Sequence, residues 1–170
     1  VSLSQAAKLW KLRGQAMQAA VPPGEGAMAA ILGLETDAVE ALAAEAAGEE
    51  VCVVANHNAT GQVVISGHAS AVERAMALAK EQGAKRALPL AVSAPFHCPL
   101  MQPAAEAMQA ALAAETLNKP AIPLVANVTA EMVSEPDSIR SLLVEQVTGS
   151  VKWQQSMHYL KEQGITHAVE

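Results

Sequence analysis

The stretch V-C-V-V-A-N-H-N-A-T-G-Q-V-V-I-S, Val51 to Ser66, decides how the middle of this chain folds. Val51–Asn56 and Gln62–Ser66 are short β-branched runs, and N-A-T-G between them carries turn chemistry, so the segment reads as two strands of a hairpin. Upstream, Asp37 and Glu40 have capping-box spacing for a helix that Gly48 closes, and A-M-A-A-I-L-G-L (27–34) reads as a strand before it. Downstream, Ser70 and Glu73 have the same spacing for a helix ending at Gly83, followed by a strand in A-K-R-A-L-P-L (84–90). The order over residues 27 to 90 is β-α-β-β-α-β.

That order is the ferredoxin-like arrangement. The flanks read differently. Ser2 to Ala20 is expected to be a helix, with Ser2 and Gln5 as a capping pair and Leu9, Trp10 and Leu12 as its apolar face. V-P-P-G-E-G (21–26) is a loop by composition. Beyond residue 90 the pattern predicts a helix over about 99–116, a strand at 122–128, a helix over about 137–148, a helix capped by Ser150 and ending near Gly164, and a strand at 165–169. Helices alternating with short apolar strands point to an α/β layer with a parallel sheet. Two strands are too few for such a sheet. The expectation is therefore a piece of a larger protein, cut on both sides, with a ferredoxin-like module at 25–90 inserted between 1–24 and 91–170.

The chain has 170 residues, 51% hydrophobic and 16% charged, a balance that suits a folded core and not disorder. Its net charge of −6, with no basic run, argues against nucleic-acid binding. No apolar stretch reaches the roughly 18 residues of a membrane span, and no signal peptide opens the chain. Cys52 and Cys98 make no disulfide framework, which points to a reducing cytoplasm. On that basis the sequons at Asn58 and Asn127 are chance matches.

S-A-P-F-H-C-P-L-M, Ser93 to Met101, holds the only phenylalanine of the chain, Phe96, beside His97 in a turn fenced by Pro95 and Pro99. If Pro99 is the first helical residue, Cys98 is the cap and His97 lies just outside a helix N-terminus, where a neutral imidazole is favoured and can take up a proton. The alternative is a corner histidine bonded to a nearby carbonyl. Arg13 shares a helix face with Leu9, Trp10 and Met17 and needs an anionic partner there. That partner is either a ligand carboxylate or a structural acid, or the side chain snorkels to water. Adjacent side chains point apart, so Cys98 is read as the helix cap and not as a dyad partner of His97. The histidines show no metal spacing, so no metal site is expected. No serine sits in G-x-S-x-G; V-I-S-G-H (64–68) is the nearest candidate, and it lacks the first glycine.

Several short blocks in order carry a family resemblance: K-L-R-G-Q-A-M-Q (11–18), G-A-M-A-A-I-L-G-L (26–34), G-Q-V-V-I-S-G (61–67), G-A-K-R-A-L-P-L (83–90), S-A-P-F-H-C-P-L-M (93–101) and V-E-Q-V (144–147). Through nearly its whole length the chain resembles malonyl-CoA:acyl carrier protein transacylases and the related acyltransferases of polyketide synthases. The resemblance implies a partial α/β hydrolase-like acyltransferase domain with an inserted ferredoxin-like subdomain. It implies acyl transfer from malonyl-CoA, through a serine ester, to the phosphopantetheine thiol of acyl carrier protein, with no cofactor bound by the chain itself. His97 matches the catalytic histidine, Gln146 the position whose backbone carbonyl orients it, and Arg13 the arginine that binds the malonyl carboxylate. Met17 and Asn58 fall at pocket-wall positions. Phe96 falls where a phenylalanine goes with malonyl and a serine with methylmalonyl.

The G-Q-G-S-Q segment, the G-H-S-x-G nucleophile elbow and the G-P-G segment of that family are absent from these residues. The isolated chain is therefore expected to be inactive, with His97 and Arg13 facing each other across a cleft that lacks its nucleophile. Two rival readings stand beside this one. A non-enzymatic ferredoxin-like module could dock acyl carrier protein through Arg74, Lys85 and Arg86, and a thiol hydrolase could use Cys98.

Overall fold

A computed structural model describes residues 1–169. The run Val63–Gly67 is buried on both of its faces, which is possible only for a central strand covered above and below. That strand, β3 (Gln62–His68), lies between β1 (Gly26–Leu32) and β2 (Cys52–Ala59), and β4 (Arg86–Pro89) adds to the far side of β1. The sheet order is β2-β3-β1-β4, every neighbour antiparallel. Its helices are α1 (Leu3–Ala19), before the sheet, and α2 (Thr36–Ala47) and α3 (Ala69–Glu81), which interrupt it.

Alternation assigns the two faces. Ile31, Val63 and Ile65 point to one side and pack on Val39 and Leu42 of α2 and Val72 and Ala75 of α3. Met28, Ala55 and Val64 point to the other, where Phe96 packs against them. At Gly26 a Cβ would lie 2.3 Å from the Pro95 ring, so only glycine lets the His97 turn sit this close to β1. The turn continues into a 3₁₀ turn at Pro99–Met101 and α4 (Gln102–Ala113).

A second apolar cluster joins α1, α4 and α5 (Pro136–Thr148) through Met17, Met101, Met108, Leu112 and Val147. The chain ends with α6 (Trp153–Glu162), after a hairpin of β5 (Leu124–Ala126) and β6 (Glu131–Val133) that precedes α5.

The structure departs from the sequence-based expectations at several points. The α1 capping box is present, with Ser2 N donating to Gln5 Oε1 at 2.7 Å, but Trp10 and Leu12 are exposed; the face that packs is Leu9, Ala16, Met17 and Ala20. Neither of the other capping boxes forms. α2 begins one residue before Asp37, from Glu35, and α3 begins directly from His68, leaving Ser70 to donate to Glu50 Oε1 at 2.6 Å. Ser150 does not cap α6, whose N-cap is Lys152.

The apolar run at 122–128 does not join a parallel sheet. Ala130 takes a left-handed conformation (φ 60°) and donates to Ala126 O at 2.7 Å, folding the chain back into the antiparallel β5–β6 pair. Residues 165–169 form no strand: no described strand lies alongside to accept their backbone hydrogen bonds, and Ile165 stays half-exposed.

Candidate functional site

Helix α1 brings Arg13 one turn after Leu9 and one turn before Met17, both of which pack toward α4. The end of α1 is held to the proline-fenced turn by Gln18 Nε2, which donates to Ser93 O at 3.4 Å. Phe96 wedges between the α1–α4 cluster and the open face of the sheet, since it packs against both. His97 follows with φ 59°, a left-handed backbone that a non-glycine residue adopts at an expense of about 1–3 kcal/mol and that concentrates at functional sites.

The imidazole is fixed by α5. His97 Nδ1 lies 3.0 Å from the backbone carbonyl of Gln146. A carbonyl can only accept, so the neutral ring must carry its proton on Nδ1 and donate it there. Nε2 then holds a lone pair, and among the described residues nothing hydrogen-bonds to it. The Gln146 side chain turns to Gly149, donating to its carbonyl at 3.1 Å.

Burial lowers the proton affinity of His97 below the ordinary histidine value, and the Arg13 guanidinium lowers it further; the carbonyls of Gln146 and Gly149 pull the other way. Arg13 is thus near enough for its charge to be felt at the ring. Its own affinity is lowered by burial, and among the described residues no carboxylate lies within ion-pair distance of it. An open depression of about 430 Å³ beside it is lined by Ala7, Trp10, Lys11, Arg13 and Gly14. His97 is not part of that lining.

Met17 is buried in the cluster that Phe96 touches. Asn58 is half-buried near the end of β2 and makes no hydrogen bond to His97, Arg13 or Gln146. The structure brings Met17 against Phe96 and His97 against Gln146, with the Arg13 charge felt at the ring. Cys98 occupies the N-cap position before Pro99 but makes no cap bond with its side chain; its thiol is buried, donates to Pro95 O at 3.0 Å and is pushed up by burial. A thiol held protonated and out of solvent cannot serve as a nucleophile. Arg74 is also engaged, donating to Ala46 O at 2.7 Å and pairing with Glu50 at 2.7 Å, which removes it from a surface awaiting an acidic partner.

Sequence reasoning missed the backbone of residues 149–152, which carries no chemical side-chain pattern but closes against β2 beside Gln146. It also missed His57, buried on β2 and lowered in proton affinity chiefly by burial. Both His57 and His97 have folded-state affinities below the unfolded value near 6.5. Their neutral forms stabilise the fold fully above that pH, and the contribution is lost as pH falls beneath it. The urea midpoint is expected to drop between about pH 7 and pH 5, and less steeply in His57→Asn. An unchanged slope in that variant would remove His57 from the account.

The acyl transferase domain family matches residues 1–170. The chain belongs to that family. This acyl transferase domain is 46% identical over 170 residues to the malonyl CoA-acyl carrier protein transacylase of Escherichia coli K12, covering all of this chain and 55% of the relative. It is 43% identical over 171 residues to the Bacillus subtilis enzyme of the same name, covering 54% of it. Among solved structures, the acyl-carrier-protein S-malonyltransferase of Burkholderia pseudomallei superposes with a TM-score of 0.96 at 45% identity, covering 100% of this chain and 55% of that one. A malonyl-transacylase solved with its type II polyketide synthase acyl carrier protein gives 0.95 at 42% identity, covering 97% and 53%. The domain spans about half the length of the curated relatives it matches.

Proposed function

We propose that this domain supplies the base and the carboxylate clamp of a malonyl-CoA:acyl carrier protein transacylase of fatty-acid synthesis. The observation that carries the reading is the His97 ring, donating from Nδ1 to Gln146 O at 3.0 Å and leaving Nε2 unbonded, with the Arg13 charge felt at the ring. In this scheme a serine from outside these 170 residues attacks the malonyl thioester carbonyl while His97 Nε2 takes its proton. The C–S bond breaks, and the proton passes to the departing coenzyme A sulfur. The phosphopantetheine thiol of acyl carrier protein then repeats the steps in reverse, giving its proton to Nε2 as it takes the malonyl group. Arg13 holds the malonyl carboxylate by charge-assisted hydrogen bonds. No cofactor enters these steps.

Within this reading, residues 25–90 form a ferredoxin-like subdomain, which their strand order supports, and 1–24 with 91–170 form part of a hydrolase-like layer. The exposed Ile122, Leu124, Met132 and Ile165 accord with a surface that such a layer would cover. Two free cysteines accord with a cytoplasmic setting.

The test is a chimera in which these 170 residues replace the matching segment of the E. coli transacylase. Malonyl transfer from malonyl-CoA to holo acyl carrier protein is expected. A folded chimera that transfers none rejects the reading. In the same chimera, Phe96→Ser should raise the methylmalonyl-to-malonyl ratio by about 10-fold, because the ring occupies space an α-methyl group needs. An unchanged ratio would dismiss the steric role.

A further inference from the structure

The segment that follows α5 is bonded to β2 through Ser150 and Val151, at a place where β2 is irregular. Between Val54 and Asn56 the register of β2 against β3 shifts, and Ala55 drops out of the pairing. The carbonyls released there turn outward. Ser150 Oγ donates to Val54 O, and Val151 N donates to Ala55 O at 2.8 Å. His57 N returns a bond to Val151 O at 2.9 Å, giving a parallel bridge between Asn56 and Val151. Lys152 N donates to Asn127 O at 2.8 Å, closing the far end.

The near end of the same segment holds Gln146. Gly149 N donates to Glu145 O at 2.8 Å, and Gly149 O accepts from Gln146 Nε2 at 3.1 Å. A Cβ at Gly149 would lie 2.9 Å from Glu145 O and 2.7 Å from the Val128 side chain, so the chain passes too close for any larger residue. Ala55 meanwhile packs its methyl on the sheet face that carries Phe96, next to His97. One irregular residue of β2 thus supports Phe96 with its side chain and Val151 with its carbonyl. Both partners of the His97–Gln146 hydrogen bond hang from that point.

We infer that residues 149–152 form a strap that sets the tautomer of His97, with Ser150 and Val151 as positioning residues acting through the Gln146 carbonyl. The inference rests on the proposed function for its purpose, not for its geometry. When the strap slackens, the Gln146 carbonyl moves off Nδ1, and the ring returns to the Nε2–H form that histidine favours when no acceptor faces Nδ1. In that form the atom that should accept a proton already carries one.

The imidazole nitrogens of His97 report this directly by ¹⁵N NMR of the 170-residue chain. The unaltered chain is expected to show Nδ1–H. Ser150→Ala, which removes one hydroxyl, should raise the Nε2–H fraction several-fold, and Ser150→Thr, which keeps the hydroxyl, should restore it. Arg74→Ala breaks four hydrogen bonds, to Ala46, Ala47 and Glu50 on the helix-covered side of the sheet, and should lower the melting temperature without moving the tautomer. An unchanged tautomer in folded Ser150→Ala overturns the strap, as does an equal shift in Arg74→Ala. Should Ser150→Ala not fold, Ser150→Cys keeps the volume with a weaker donor and is read in the same way. The measurement needs no malonyl-CoA. A coupled tautomer beside an inactive chimera would reject the transacylase reading alone.

Discussion

Replacing His97 with alanine in the chimera is expected to lower the turnover number for malonyl transfer by about 10²–10⁴-fold, the usual contribution of a positioned base. The basis is the asymmetry of the ring. Nδ1 is committed to the Gln146 carbonyl at 3.0 Å, and Nε2 is the only nitrogen left to take the serine proton. Burial and the Arg13 charge keep the ring neutral near pH 7 and lower its affinity below the ordinary value. The acid limb of the pH–rate profile should therefore fall below about 6.5 and disappear in His97→Ala. The Michaelis constant should move little, because the ring is assigned to proton transfer and not to holding the acyl group. A turnover number within about threefold of the parent chimera would remove His97 from the reaction.

Arg13→Ala is expected to reduce malonyl transfer by about 10²-fold while leaving acetyl transfer within a few-fold, since each charge-assisted hydrogen bond contributes about 1.5–3 kcal/mol. The structure makes the arginine an unusual residue for its place. It lies on the face of α1 that carries Leu9 and Met17, its proton affinity is lowered by burial, and among the described residues it has no carboxylate partner. A half-buried guanidinium in that condition is stabilised by an arriving anion. Acetyl carries no carboxylate, so the two acyl groups separate the clamp from any general effect on the fold. Lysine at this position should recover only part of the malonyl rate, because a point charge cannot reproduce two parallel hydrogen bonds. Equal losses with malonyl and acetyl would assign Arg13 a structural role only.

Local patterns made some of this molecule legible before its structure. The alternating order of strands and helices from 26 to 89 follows from β-branched runs and from the glycines after each helix, features carried by a few adjacent residues. The α1 capping box was legible for the same reason, because Ser2 and Gln5 satisfy each other. The capping boxes read at Asp37 and Ser70 were not formed, since each helix starts directly from the preceding loop or strand and leaves those side chains past the first orphan amide. Trp10 misled as a core residue because helix periodicity marks a stripe without saying which neighbours exist to cover it.

The site divides in the same way. His97 and Arg13 could be singled out as residues because a turn fenced by prolines and an arginine on an apolar stripe are visible locally. The resemblance set them across one cleft, but the packing that joins their elements was not visible, being α1 docked on α4 and Phe96 wedged against β1 and β3. The composition and ordered blocks of the sequence determined the family, the sheet-forming segment and the candidate groups, because those depend on side-chain type and short spacing. Only the tertiary structure decided which nitrogen of His97 is free, that Cys98 is sealed beneath Pro95, and that residues 149–152 close on β2. The first and the last depend on backbone carbonyls distant in the chain from the groups that meet them, and a carbonyl is the same in every residue; the second depends on packing around a bond only three residues long.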